Sequence, residues 1–296
     1  MAVYLLCVIG TFLVRYLPLN IQYRLAETIG DLLFFLARRV RKNIYANITI
    51  VLGRKTDKIT IERTVRKVFR NYMKFFLEVF RLPLLSKEDI DKITSAHGRE
   101  HIEKALKRGK GVIVFSAHLG NWEYAAIVAL RPYPTNVVME NLSYRKMFDF
   151  FRKIREAKGI RTIPLNRYAG ILCEKALERN EIVAYPGERD IQKTGIPVNF
   201  FGRVTQIPRG TAFLASLTGA QVLPVYLVRK KDNSFECIIG PPVDLKTSGD
   251  REKDLLTNTQ IIANVLENII RRYPDQWCVF QPLWPEDSKI ATLPAG

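Results

Sequence analysis

Gly111-Val112-Ile113-Val114-Phe115-Ser116-Ala117-His118-Leu119-Gly120-Asn121-Trp122-Glu123 decides the fold of this chain. Val112 to Phe115 is an uninterrupted apolar run, the composition of a strand buried on both faces. The run breaks at Ser116-Ala117-His118, and a Gly-Asn pair then leads into a helix-forming stretch from Trp122 to Leu130. A histidine at the carboxyl end of a buried strand stands where open α/β sheets hold their chemistry. Glu123 follows five residues later. On one continuous helix that spacing sets two side chains about 140° apart, so they meet only if the chain turns between them. The Leu119-Gly120-Asn121 turn lets the carboxylate swing back, which predicts an imidazole base oriented by Glu123. No G-x-S-x-G elbow and no cysteine accompanies this histidine, so such a base would act on a group of the substrate. On spacing alone, a satisfied histidine with a chance acid nearby stays open as the plainer reading.

Beyond this stretch, strand and helix alternate. Asn136 to Met139 reads as a strand, Ser143 to Lys158 as a basic helix, Gly159 to Pro164 as a strand and Tyr168 to Arg179 as a helix. The next strand runs from Glu181 into the charged loop Glu188-Arg189-Asp190. This alternation implies right-handed crossovers and a mostly parallel sheet flanked by helices, with Glu188, Arg189 and Asp190 on the same rim as His118. Gly210 and Thr211 open another helix, whose free N–H groups can receive a phosphate or a developing negative charge. Val222 to Val228 is a buried strand holding Pro224, and Phe235 to Gly240 pairs with it across a turn. A long helix from Glu252 to Arg272 and a short strand from Trp277 to Phe280 complete the expected order.

The 296 residues carry 46 Lys and Arg against 29 acidic residues, a net charge of +17. That excess favours anionic partners, and no zinc-finger or RNP-like pattern points to nucleic acid. Cys7, Cys173, Cys237 and Cys278 lack metal spacing and read as reduced, cytosol-facing thiols. His97 and His101 form an H-x3-H pair without a third ligand, so no metal is expected. Ala2 to Val14 is apolar but shorter than a membrane span, and it lacks the basic start of a signal peptide. A helix from Ile21 to Val40 runs into Arg38, Arg39, Arg41 and Lys42, which suits insertion at an interface over anionic headgroups. Packing against the core is the rival reading for that helix. Ile61 to Leu82 reads as an amphipathic basic helix with an aromatic core stripe. The expected division is residues 1–42 as membrane-associating helices and residues 43–290 as an α/β domain.

The H-x4-E block in the form S-A-H-L-G-N-W-E resembles the lipid A biosynthesis acyltransferases and their relatives, the phosphatidylinositol mannoside acyltransferases. The Gly98-to-Ile102 block, Glu188-Arg189-Asp190, Val198-Asn199-Phe200-Phe201-Gly202-Arg203 and Ile207-Pro208-Arg209-Gly210-Thr211-Ala212 carry the likeness along the chain. Where the family commonly has Asp-Arg-Asp, this chain has Glu188 first. The resemblance implies a glycerolipid-acyltransferase-like fold and an O-acyltransferase at the cytoplasmic face of an inner (plasma) membrane. Its donor would be an acyl thioester on acyl carrier protein or coenzyme A, and its acceptor a hydroxyl of a lipid A precursor or related glycolipid. His118 would be the general base and Glu123 its orienting acid. Asn121, Glu188, Arg189, Asp190, Arg209 and Gly210 would face the substrates, and Phe200 and Phe201 could line an acyl groove or simply pack down. No cofactor is implied. A lysophospholipid or mannoside-lipid acyltransferase, an acyl-thioester hydrolase and a non-catalytic membrane-binding protein remain the alternatives.

Overall fold

The computed structural model describes residues 10–12, 14–141 and 145–284. The helices described in full begin with α1 (Leu19–Leu36), α2 (Arg38–Leu52) and α3 (Lys58–Arg81). A short α4 (Lys87–Ile93) leads to β1 (Thr94–His97) and α5 (Arg99–Leu106). The alternating part follows as β2 (Val112–Ser116), α6 (Trp122–Leu130), β3 (Thr135–Met139), α7 (Arg145–Glu156), β4 (Ile160–Pro164), α8 (Ala169–Glu178) and β5 (Ile182–Pro186). A hairpin of β6 (Ile196–Phe200) and β7 (Arg203–Ile207) precedes α9 (Gly210–Thr218), β8 (Gln221–Arg229), β9 (Phe235–Ile239) and α10 (Arg251–Arg272).

β2 lies inside a seven-stranded sheet of order β1-β9-β8-β2-β5-β3-β4. The five strands from β8 to β4 are parallel; β9 runs antiparallel to β8, and β1 joins β9 in its direction. Alternate residues of β2 enter two separate cores. Ile113 and Phe115 pack on the face bearing α2, α8, α9 and α10, while Val112 and Val114 pack on the face bearing α5 and α6. Each such buried apolar side chain contributes about 1.5–3 kcal/mol, which is why this short run anchors the sheet. Trp122 to Leu130 forms the helix expected of it, and every residue from Glu123 to Leu130 is buried.

Two expectations need correcting. The single helix from Ile21 to Val40 is two helices: the chain breaks at Ala37, and Arg38 starts a new helix instead of trailing the first. Trp277 to Phe280 is not a strand; only Trp277 forms a bridge, to Leu119. Of the two readings open for Phe200 and Phe201, packing down is the one the structure shows. They flank a hairpin whose two turn residues, Phe201 and Gly202, both have positive φ, and they pack with Trp284. β1 and the hairpin itself were not anticipated. The apolar segment Ala2 to Val14 lies outside the described residues apart from residues 10–12 and 14, as do Cys7 and Ser143.

α1 packs on α3 through Gln22, Ala26, Gly30 and Phe34. A Cβ at Gly30 would stand 2.7 Å from the Arg70 Cα, so the glycine permits the close crossing. Asp31 secures the pair by accepting from Arg66 and Arg70 together. The opposite face of α1 exposes Ile21, Leu25, Ile29, Leu32 and Phe35. Among the described residues no helix is long and apolar enough to cross a membrane.

Candidate active site

β2 and β5 pair in parallel with Ser116 opposite Pro186. The residues two beyond that last rung are His118 and Glu188, and the register brings them together. Glu188 Oε1 accepts from the His118 backbone N–H at 2.6 Å, lies 3.1 Å from His118 Nδ1, and accepts from Trp277 Nε1 at 3.2 Å. Glu188 is fully buried. Burial pushes its carboxyl up, but the imidazole beside it and the hydrogen bonds from His118 outweigh this and hold the pKa below the usual carboxylate range. With Nδ1 donating to Glu188, Nε2 carries the lone pair and is the basic nitrogen. Trp122 meets the imidazole edge-on, with ring centroids 5.3 Å apart.

Glu123 does not orient this histidine. Its two oxygens accept from Arg155 of α7, Oε2 from Nε at 2.7 Å and Oε1 from Nη2 at 2.5 Å, in a buried bidentate pair. Glu123 sits in the first turn of α6 and faces α7. The expected contact is replaced by one from a residue 70 positions after His118.

The turn after His118 is pinned from several sides. Gly120 has φ +61°, and a Cβ there would stand 1.8 Å from the Leu227 carbonyl oxygen, so no larger residue fits. Its N–H donates to the Gln276 carbonyl, and the His118 carbonyl accepts from the Cys278 N–H. Asn121 is fully buried and does not line the cavity beside His118, contrary to the substrate contact expected of it. Its Oδ1 accepts from the Tyr124 N–H and so caps α6, while its Nδ2 donates to Glu78 Oε2 at 2.8 Å. Glu78, on α3, also receives two hydrogen bonds from Arg229 of β8, both at 2.7 Å, and one from the Tyr23 hydroxyl of α1. Glu78 and Arg229 are each almost wholly buried. This cluster ties the N-terminal helices to the His118 turn, and no sequence spacing signalled it.

His118 opens on a cavity of about 540 Å³ at the carboxyl ends of β2, β3, β4 and β5. Its apolar walls include Val138, Leu165, Ala169, Cys173, Tyr185 and Leu214; Arg167, Arg189 and Arg209 bring positive charge to it. Burial pushes the Cys173 thiol up to about 12, so it stays protonated. Arg189 lines the cavity and pairs with Glu140 at 3.5 Å, an acid that the sequence reading did not single out. Asp190 also lines it, but its carboxylate is taken by the Thr194 and Gly195 N–H groups and shapes the loop. Gly210 begins α9 on the cavity wall, where a Cβ would come within 3.6 Å of the Tyr185 hydroxyl. Glu188 lies behind His118 rather than on the cavity surface. Among the described residues no group of three or more His, Cys, Asp or Glu side chains is gathered as a metal would require.

Residues 1–286 match the family of bacterial lipid A biosynthesis acyltransferases. The chain belongs to this family. It is 32% identical over 227 residues to a phosphatidylinositol mannoside acyltransferase of Mycobacterium tuberculosis, covering 73% of this chain and 69% of that one. It is 28% identical over 245 residues to the phosphatidylinositol mannoside acyltransferase of Mycolicibacterium smegmatis, covering 81% of this chain and 78% of that one. A lipid A biosynthesis acyltransferase of Haemophilus influenzae is 20% identical over 276 residues, covering 90% of this chain and 82% of that one. The chain is therefore an acyltransferase, and the cavity beside His118 is its candidate active site.

Proposed function

We propose that this acyltransferase moves a fatty acyl group from a thioester to a hydroxyl of a membrane glycolipid, with His118 as general base and Glu188 as the group that orients it. The observation that carries the reading is the buried His118–Glu188 contact at the edge of an apolar-walled cavity. The acceptor oxygen attacks the thioester carbonyl while its proton passes to Nε2. The C–S bond then breaks, the new ester C–O bond remains, and the imidazolium returns its proton to the departing thiolate. Glu188 fixes the tautomer and stabilises the imidazolium that forms. Both substrates held together make an acyl-enzyme unnecessary. The acyl chain occupies the apolar cavity, and Arg189 receives the polar headgroup of the acceptor, its fork suited to phosphate or sugar oxygens.

The acceptor is a mannosylated or lipid A-type glycolipid, the class named for the relatives, and the donor is acyl carrier protein or coenzyme A carrying the acyl group. We place the enzyme on the cytoplasmic face of the plasma membrane. The exposed apolar stripe of α1, followed by Arg38, Arg39 and Lys42, supports interfacial rather than spanning association. The test is transfer of a labelled acyl group, followed by lipid mass spectrometry with and without each acceptor. Wild type should form acylated lipid only with acceptor and a His118→Ala variant should form none. Release of free fatty acid at the same rate without acceptor would make the protein a thioester hydrolase instead.

A further inference from the structure

α8 and α9 carry large apolar residues on the side turned away from the core as well as on the side that packs. α8 buries Ala169, Cys173, Ala176 and Leu177, yet exposes Ile171 and Leu172. α9 buries Thr211, Ala212, Leu214 and Ala215, yet exposes Phe213 and Leu217. Large apolar side chains gathered on the exposed faces of neighbouring helices mark an interaction surface, and here they stand beside Lys175, Glu178 and Ser216. Ile171 is 53% exposed, Phe213 49% and Leu217 50%. The patch is continuous, since α9 contacts both α8 and α10, and Leu256 of α10 extends it. Phe213 lines both the His118 cavity and an adjoining hollow of about 550 Å³ that holds Leu217 and Leu256.

We infer that this patch is a second docking surface, separate from α1, and that it seats on an anionic lipid bilayer. Two features select lipid over a protein partner. Exposed Arg167, Arg209 and Arg251 border the patch, which suits anionic headgroups. Acids lie there too: Glu252, Asp190, which is held by its own loop, and Glu174 and Glu178 of α8, which flank Lys175 on the same helix. Finally, the mouth of the His118 cavity opens inside the patch, because Phe213 and the exposed Gly170 line it. A hydrocarbon chain can then pass between bilayer and cavity without crossing water, which avoids wetting its methylenes. This last point rests on reading the cavity as an acyl-chain site; the binding itself does not.

Flotation of the full chain with vesicles tests it without any turnover. Ile171→Gln, Leu217→Gln and Leu256→Gln together alter exposed side chains that do not line the His118 cavity. The triple variant should keep the wild-type melting temperature and bind phosphatidylglycerol-containing vesicles about tenfold or more weakly at high salt, where the apolar part dominates. An independent variant, Ile171→Trp, should gain an indole emission over wild type that brominated lipid in such vesicles quenches. Unchanged flotation of the triple variant, or failure of brominated lipid to quench that added emission, overturns the proposal. So does a lipid-free dimer that the triple variant abolishes, or a raised KM for acyl carrier protein with vesicle binding intact. If the triple variant binds weakly and the wild type transfers no acyl group, the surface stands and the proposed reaction falls.

Discussion

Replacing Glu188 by Gln removes one charge and keeps the shape, so it isolates what the carboxylate does. In the protein one oxygen, Oε1, serves the His118 backbone N–H, the His118 ring and the Trp277 indole. A glutamine oxygen can still accept from the two fixed donors, so the turn should hold. The imidazolium, however, loses its charged partner. A hydrogen bond to a charged group is worth about 1.5–3 kcal/mol against 0.5–1.5 for a neutral one, so the rate falls roughly 5- to 30-fold from this alone. If the amide NH₂ turns toward Nδ1, the wrong tautomer is favoured, and losses approach the roughly 10⁴-fold seen when a triad aspartate becomes asparagine. The assay is steady-state transfer to a lipid acceptor, with kcat read separately from both KM values. The loss should fall on kcat. Acid unfolding supplies a second reading. The folded pKa of Glu188 is depressed, so its contribution to stability is present above the unfolded value of about 4.3 and lost as pH falls through the folded value. Below about pH 4 the wild type should therefore lose stability more steeply than Glu188→Gln. A kcat within twofold of wild type in Glu188→Gln would refute the reasoning, as would an equal loss in both KM values with kcat unchanged.

The Glu123–Arg155 pair should behave as a structural element. Truncating either partner to Ala leaves a buried charge alone and should cost about 3–5 kcal/mol in denaturant unfolding, whereas Glu123→Leu with Arg155→Met should recover most of that loss. A recovered double variant that transfers acyl groups near the wild-type rate would show that Glu123 takes no part in the chemistry. Arg189→Ala should raise the acceptor KM or lower kcat/KM for it by more than for the donor, with Arg189→Lys only partly restoring it, because a point charge lacks the planar fork. Equal effects on both substrates would assign Arg189 to its ion pair with Glu140.

What the chain disclosed in advance was the contiguous part of the site. Val112 to Phe115, His118 and the helix from Trp122 were readable because each depends on near neighbours. The error at Glu123 has the same origin: nearness in sequence was taken for nearness in space. Glu188 becomes the partner through the Ser116–Pro186 rung, a long-range register that apolar runs alone do not number. The loop Glu188-Arg189-Asp190 was assigned to the right rim of the sheet, yet its three side chains go three ways: behind the histidine, to Glu140, and back to their own loop. α2 is not legible because its basic first turn reads as the end of the preceding helix, although Ile44, Ile48 and Val51 beyond it are core residues. The outward Ile171, Leu172, Phe213 and Leu217 read in sequence like core positions, because apolar type alone does not separate in from out.

The buried Glu78–Arg229 pair bears on how this protein can be recombined with its relatives. The carboxylate comes from α3, the guanidinium from β8, and the groups that complete it from α1 and from Asn121. A chimera that exchanges residues 19–81 as a cassette severs that set unless the donor segment brings both a carboxylate at position 78 and a hydroxyl at position 23. Without them the recipient keeps a buried cation and an unpartnered asparagine amide beside the histidine turn, so a swap meant to change membrane preference would alter turnover too. The N-terminal helices and the reaction centre are thus one heritable unit, although more than a hundred residues separate α3 from β8 in the chain.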